Sequence, residues 1–406
     1  MIQEWKSRFS DNIKDFGGYS IGKIFKYLND PEIISLAGGL PSPDMFQVSA
    51  MRQASQKILD KDINKVMNYT GVTGEASLIE AVGNFLKRDN IDITSEQILI
   101  TSSGQHGLDL TGRLFINPGD IVILDRPTFA GAIVAFQMQR PEIVGIDLED
   151  DGPNVVKYRE KIQELAAQNK KPKFMYVVPD FQNPSGITTS LAKREALLDL
   201  SYEINVPIIE DSPYRDLRYY GETIPSIFSL DQKRGGGNVI GLYTFSKLFC
   251  PGIRVGFNIG PKDVIARMTN IKEANILNTP RFNQDMCTAF LNEMGFDEHI
   301  KKSREYYKEK LDVFLQTMDE YFPEEMGVTW TKPEGGLFLW VTLPEQIDSN
   351  KLFYEAVKYK VAFVPGGAFY GENAPQNNLR INFSFASKED LKEAVKRLSE
   401  CIKAQL

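Results

Sequence analysis

Apolar and polar positions follow three successive patterns along this chain. In the first, apolar residues recur at helical spacing. Trp5, Phe9, Ile13 and Phe16 mark one face, Gly17-Gly18 breaks it, and Ile21, Ile24, Phe25 and Leu28 begin a second stripe. Leu36-Ala37-Gly38-Gly39-Leu40-Pro41-Ser42-Pro43 is a loop by composition, and helical patterns resume over about 47–60 and 74–88. From residue 97 short apolar runs alternate with longer amphipathic ones. Ile98-Leu99-Ile100 leads into a helical pattern over about 104–115, and Asn117-Pro118-Gly119-Asp120 turns the chain into Ile121-Val122-Ile123-Leu124. Further strands are predicted at 174–178, 207–209, 239–243 and 256–259, most of them separated by helical patterns. Short buried strands alternating with helices imply an α/β fold with a largely parallel sheet and right-handed crossovers.

After about residue 290 the pattern changes again. A strongly charged helix over 299–320 precedes strands at 328–331 and 337–343, joined through Pro333-Glu334-Gly335-Gly336. Strands are also predicted at 361–364 and 379–385. Ser387-x-x-Asp390 then opens a last helix with Leu391, Val395, Leu398 and Ile402 on one face. This part reads as a smaller α+β domain.

At 406 residues the chain is long enough for two domains. A net charge of −7 gives no basic field for nucleic acid or anionic lipid, and no apolar run reaches the roughly 18–20 residues of a membrane span. The first twenty residues lack the apolar core of a signal peptide. Three widely spaced cysteines, Cys250, Cys287 and Cys401, argue against a disulfide framework and for a reducing compartment, so a cytoplasmic enzyme is expected. Only two histidines, His106 and His299, are present, which excludes a His-rich zinc site and leaves general base work to lysine or carboxylate. Gly235-Gly236-Gly237 is a loop and no phosphate cradle, since no Lys-Ser/Thr follows it.

Chemistry concentrates elsewhere. Asn183 lies in Asn183-Pro184-Ser185-Gly186, Asp211 and Tyr214 follow an apolar run, and Lys247 ends Thr244-Phe245-Ser246-Lys247, with Arg254 seven residues later. A desolvated lysine amine loses basicity and becomes a nucleophile and proton carrier. Arg254, read within the apolar run Gly252-Ile253-Arg254-Val255-Gly256-Phe257, suits a phosphate, and the hydroxyls of Thr244 and Ser246 can reach the same anion. Ser103-Gly104-Gln105-His106-Gly107 follows a strand and opens a helix, whose free N–H groups add an anion site. Asp211 and Tyr214 fall at the carboxyl end of a strand, where parallel sheets bind ligands. A lysine nucleophile, an anion site, a buried acid and a phenol together read as a site for pyridoxal 5′-phosphate, whose protonated ring nitrogen needs an ionised acid beside it. Each residue also has an ordinary reading. Lys247 could be a surface lysine, Arg254 part of a salt bridge, Asp211 a helix N-cap, Asn183 a turn former before Pro184, and His106 a capping or packing residue. Arg380, in Asn378-Leu379-Arg380-Ile381-Asn382-Phe383, would grip a substrate carboxylate at a domain cleft or form an interdomain ion pair.

Taken together, these residues resemble the class I aminotransferases of fold type I, and within them the 2-aminoadipate and kynurenine aminotransferases. The likeness runs from Ile34-Ser35-Leu36-Ala37-Gly38-Gly39-Leu40-Pro41 through Asn68-Tyr69-Thr70, Pro179-Asp180-Phe181-Gln182-Asn183-Pro184-Ser185-Gly186 and Thr244-Phe245-Ser246-Lys247 to Phe363-Val364-Pro365-Gly366. It implies a large domain (45–289) whose mostly parallel seven-stranded sheet lies between helices, and a small α+β domain (290–406) to which residues 1–44 belong. It also implies an enzyme that exchanges an amino group between an L-amino acid and a 2-oxo acid, in a ping-pong cycle through a lysine–cofactor aldimine. Lys247 would form that bond and carry the proton between Cα and C4′. Asp211 would pair with the pyridine nitrogen, while Tyr214 and Asn183 would hydrogen-bond the phenolic oxygen. Gly104, Gln105, Thr244, Ser246 and Arg254 would bind the phosphate, and Phe129 would stack on the ring. Arg380 and Asn183 would hold the substrate α-carboxylate with Gly39 touching it. Tyr69 would reach over from a partner subunit, which makes a homodimer with shared sites. The resemblance implies no metal.

Two departures bear on specificity and cofactor binding. Relatives that accept acidic substrates carry an arginine in the N-terminal helix, in a Ser-x-Ile-Arg pattern, whereas this chain has Tyr19-Ser20-Ile21-Gly22-Lys23. That favours an aromatic or large aliphatic donor. Lys23, Lys26 and Arg281 are the candidates that would instead serve a 2-aminoadipate- or glutamate-type donor. Gly104 stands where relatives often have serine, which removes one hydroxyl contact to the phosphate. The same fold and cofactor also serve lyases and decarboxylases. They serve as well in effector modules of transcription regulators, although here the fold begins near residue 1 and leaves no room for a DNA-binding domain.

Overall fold

The computed structural model describes residues 5–14, 16–18, 22, 30–371 and 373–406. Its strands, in chain order, are β1 (Ile34–Ser35), β2 (Ile98–Thr101), β3 (Ile121–Arg126), β4 (Glu142–Glu149), β5 (Gly152–Pro153), β6 (Pro172–Val177), β7 (Ile208–Asp211), β8 (Val239–Thr244), β9 (Gly256–Ile259), β10 (Thr329–Trp330), β11 (Phe338–Thr342), β12 (Val361–Ala362), β13 (Val364–Pro365) and β14 (Asn378–Asn382). Eight of them form one sheet in the order β2-β9-β8-β7-β6-β3-β4-β5. The pairs β8-β7, β7-β6, β6-β3 and β3-β4 are parallel, as the alternation of strands and helices predicts. Seven of the eight make up the expected sheet, and the two-residue β5 is added where the chain folds back antiparallel on β4.

Burial explains the doubly covered sheet. Ile121 and Ile123 of β3 pack into one hydrophobic cluster while Val122 and Leu124 pack into another, and Met175 and Tyr176 of β6 divide the same way. Successive side chains of a strand point to opposite faces, so a run apolar at every position needs a layer on each side. Burying each such side chain contributes about 1.5–3 kcal/mol.

Two strands depart from the pattern. β9 runs antiparallel to both β8 and β2. Only the eleven residues 245–255 join β8 to β9, too few for the helical crossover a parallel return requires. Those same residues carry Lys247 and Arg254. β4 was not expected from its sequence, because Gly145 and Asp147 interrupt its apolar run and much of the strand is partly exposed.

The C-terminal region carries an antiparallel sheet of order β10-β11-β14-β13. The run expected as one strand at 361–364 is two: β13 joins β14, while β12 pairs in parallel with β1. Leu36 continues that link, its N–H donating to Ala362 O at 2.8 Å and its carbonyl accepting from Asn382 N at 2.8 Å. The segment before residue 45 is therefore stitched to the last quarter of the chain. The charged helix spans Phe296–Tyr321 and the final one Lys388–Lys403, capped by Ser387 Oγ accepting from Asp390 N at 3.0 Å. At the N-terminus the single helix expected through Trp5, Phe9 and Ile13 is two short turns, Trp5–Arg8 and Asp11–Lys14, with all three side chains exposed. The second stripe, Ile21, Ile24, Phe25 and Leu28, lies outside the described residues. Among the described residues no helix is long and apolar enough to cross a membrane.

Candidate active site

The carboxyl ends of the parallel strands converge on one cavity of about 600 Å³, closed on its far side by β11 and β14. Of the residues singled out from the sequence, Gly39, Gly104, Gln105, Phe129, Asn183, Asp211, Tyr214, Thr244, Ser246, Lys247, Arg254 and Arg380 all line it.

Lys247 leaves β8 behind Phe245, which is 2% exposed and anchors the turn in the core. Its Nζ donates to Gly39 O at 2.6 Å. The side chain is open to the cavity but enclosed by protein elsewhere. That desolvation, with the Arg380 and Arg254 guanidiniums nearby, lowers the amine to about 8. Gly39 is confined too, since a Cβ there would lie 3.1 Å from the Phe338 ring. Asp211, the last residue of β7, is buried, and burial raises its carboxyl to about 7 against a hydrogen bond from Tyr176 that lowers it.

Arg380 on β14 is buried and spans two partners, donating to Asn183 Oδ1 at 2.9 Å and to Ala37 O at 2.6 Å. Its guanidinium lies 4.2 Å from the Phe338 ring centroid. Asn183 also donates from Nδ2 to the Tyr214 hydroxyl at 3.3 Å. The loop that carries Asn183 is tied down by Asp180, which receives Arg194 NH2 at 2.7 Å and Arg215 NH1 at 3.1 Å. All three residues are buried. Burial pushes the Asp180 carboxyl up, but the two guanidiniums outweigh it and hold it at about 2.

At the opposite end of the cavity, Gly104 opens the helix Gly104–Phe115, whose first N–H groups point outward without partners of their own helix. Thr244 Oγ1 and Ser246 Oγ are 3.0 Å apart beside it. Gln105 donates to Gly131 O at 2.8 Å. Gly131 permits this packing, because a Cβ there would meet the Phe129 ring at 2.5 Å and Gln105 Oε1 at 2.6 Å. Arg254 differs from its sequence reading: it precedes β9 instead of lying in it, takes a left-handed backbone (φ +50°), and is exposed with its side chain facing the cavity.

Three expectations fall outside this constellation. Tyr69 is 78% exposed and does not line the cavity. Within this chain Arg281 is paired with Glu75 at 3.1 Å and Asp285 at 3.6 Å and lines a separate cavity. Lys23 and Lys26 lie outside the described residues. His106 accepts from Ser102 N at 3.1 Å through Nδ1, and burial with Lys272 nearby lowers its imidazole to about 4, so it packs as a neutral ring. Sequence reading missed Tyr176, which donates to Asp211 Oδ2 at 2.7 Å, and the Asp180–Arg194–Arg215 cluster. The available signal was a phenol within the apolar run at 174–178.

The donor set matches pyridoxal 5′-phosphate group by group. An amine of lowered basicity suits its aldehyde, and a buried acid that would cost energy to ionise alone suits a pyridinium partner. A helix start with two hydroxyls and a guanidinium suits a phosphate dianion.

The chain matches the family model described as aminotransferase class I and II over residues 31–398. It is 38% identical to the aromatic-amino-acid aminotransferase 1 of Thermococcus litoralis, over 99% of this chain and 96% of that protein. It is 34% identical to the 2-aminoadipate transaminase of Thermus thermophilus, over 99% of this chain and 98% of that one. Among solved structures it is similar to the Pyrococcus horikoshii kynurenine aminotransferase in complex with PMP, with KYN as substrates and KYA as products. That match has a TM-score of 0.95 and 39% identity, covering 100% of this chain and 99% of the other.

Proposed function

The chain belongs to the class I and II aminotransferases and is a pyridoxal-phosphate-dependent transaminase of amino acids and 2-oxo acids, and from that premise we propose how its residues divide the work. Lys247 Nζ would hold the cofactor through its aldehyde and would hold and move the proton at the substrate Cα. Asp211 would pair with the ring nitrogen, Asn183 and Tyr214 would hold the phenolic oxygen, and Phe129 would cover one ring face. Gly104, Gln105, Thr244, Ser246 and Arg254 would hold the phosphate, joined by Tyr69 of the partner subunit. Arg380 and Asn183, with Gly39, hold the α-carboxylate. Bound pyridoxal phosphate supplies the electron sink that lets a Cα–H bond ionise near neutral pH.

The observation that carries this reading is that one cavity holds a lysine lowered to about 8, a buried acid and a buried arginine. Borohydride reduction followed by peptide mapping should place the reduced cofactor on Lys247, and Lys247→Ala should lose both that label and turnover. A label on any other lysine overturns the assignment.

We further propose a homodimer with shared sites, supported by the exposure of Tyr69 on a loop it shares with Met67, itself 64% exposed. A monomer with full turnover by sedimentation would remove it. A cytoplasmic setting is supported by three buried free cysteines. For the donor we propose an aromatic or large aliphatic amino acid. An acidic donor is the second reading, supported by the likeness to a 2-aminoadipate transaminase.

A further inference from the structure

Asp211 has a partner that the division of roles above leaves unused. Tyr176 is fully buried on β6, and its hydroxyl donates to Asp211 Oδ2 at 2.7 Å. Strand register accounts for the meeting. Tyr176 stands opposite Ile209 on β7, and Asp211, two residues further along, falls on the same face. The phenol ring is fixed by Phe136, edge to face at 5.6 Å between centroids. The helix that supplies Phe136, Ala130–Gln137, contains no titratable residue. The other ionisable groups around the pair are Asp125 on β3, Tyr214, and Lys247 across the cavity. Asp125 is itself occupied, accepting from the Tyr158 hydroxyl at 2.9 Å.

We propose that Tyr176 is a positioning residue, which holds Asp211 ionised and turns its second carboxylate oxygen toward the cofactor ring nitrogen. The inference rests on the reading of Asp211 as the acid that pairs with that nitrogen. Its physical content is simple. A carboxylate removed from water reverts to the neutral acid unless a hydrogen bond favours the anion, and a neutral acid is a poor partner for a pyridinium. Tyr176 is the group that lowers the Asp211 carboxyl, opposing the burial that raises it. A donor fixed at Oδ2 also removes rotational freedom from the carboxylate, so the cavity meets one oxygen in one orientation.

Tyr176→Phe deletes a single oxygen and keeps the ring against Phe136. The apoenzyme is titrated with pyridoxal phosphate from pH 6 to 9, with binding read from tryptophan fluorescence, for wild type, Tyr176→Phe, Asp211→Asn and the double variant. Tyr176→Phe should weaken cofactor binding about 10- to 100-fold at neutral pH, the range for a hydrogen bond to a charged group. Affinity should also begin its fall toward acid at a higher pH than in wild type, because the unassisted acid takes up its proton sooner. In the Asp211→Asn background the same substitution should change affinity less than about twofold, as a residue acting only through Asp211 requires. Equal losses in both backgrounds, or a loss without the pH shift, would make Tyr176 a packing residue and overturn the proposal. Asp211→Asn binding cofactor as tightly as wild type would instead overturn the reading of Asp211. Weakening by Asp211→Asn with none by Tyr176→Phe would reject Tyr176 alone.

Discussion

Asp180→Asn isolates the electrostatic anchor of the loop that presents Asn183. The substitution keeps the shape of the side chain and removes its charge, leaving Arg194 and Arg215 buried without the carboxylate they share. Two routes give its cost. The carboxyl sits at about 2 in the fold, against roughly 3.9 when unfolded, which corresponds to stability on the order of 3 kcal/mol at neutral pH. Breaking a buried ion pair typically costs about 3–5 kcal/mol. A loss of about 3 kcal/mol satisfies both. With roughly 2.1 cal/mol/K of unfolding entropy per residue, a chain of 406 residues unfolding as one unit should lose about 3–4 °C in Tm. Because the folded pKa is depressed, the stabilisation is complete above the unfolded value and disappears as pH falls through about 2. The Tm gap between wild type and variant should therefore be full at pH 7 and shrink steadily below about pH 4. Calorimetry over that range measures it, and steady-state kinetics should show KM for the amino acid raised on the order of tenfold as Asn183 loosens. A gap under about 1 °C at pH 7, or one that does not narrow in acid, refutes the reasoning.

Three further outcomes are expected. Capture of pyridoxal phosphate by the apoenzyme should accelerate about tenfold per pH unit and level off near 8, where the Lys247 amine becomes neutral. Stopped-flow absorbance follows this, and acceleration continuing to pH 10 would mean an ordinary solvated lysine. The same depressed lysine makes the unfolded chain bind more protons between about 8 and 10.4, so its contribution to apoenzyme stability should rise with pH across that window. Arg380→Lys loses the planar fork that spans Asn183 and Ala37, and should lower kcat/KM about 10- to 100-fold while leaving cofactor affinity within about twofold. Unchanged kcat/KM would move the carboxylate grip elsewhere.

What the sequence makes legible, and what it hides, follows from the range of each interaction. Apolar runs within β2, β3, β6, β7 and β8 read directly as buried strands, because both faces of the sheet are covered and the successive apolar side chains divide between two clusters. The half-exposed β4 gives no such run. Lys247, Asp211 and Asn183 are legible because each stands at or just after the end of a strand in a short motif. Arg254 is legible as a residue but not in its setting, since a left-handed residue after a turn is indistinguishable in sequence from the start of the next strand. Partners are the least visible layer. Tyr176 meets Asp211 across 35 residues, and Arg380 meets Asn183 across 197. Those meetings depend on strand order and domain packing, to which local periodicity is blind.

The charge balance of the cavity bears on the choice of donor. Among the described residues that line it, Lys247, Arg254 and Arg380 are cationic and Asp211 is the acid. A phosphate carrying about two negative charges and one α-carboxylate bring roughly three, which already engage Arg254, Arg380 and the lysine–cofactor nitrogen. A distal carboxylate would add one more in a partly desolvated site, and among the described residues of this chain that line the cavity there is no fourth cation to meet it. The walls near Gly39 instead offer Leu40 and Phe338. Burying an aromatic ring against such surfaces is favourable, at about 25 cal/mol per Å² of apolar area removed from water. Phenylalanine, tyrosine or leucine should therefore exceed 2-aminoadipate in kcat/KM by at least about tenfold in a donor panel with a common 2-oxo acid. Should 2-aminoadipate win, a cation that this balance leaves out must reach the substrate, and Lys23→Ala and Lys26→Ala would show which lysine supplies it.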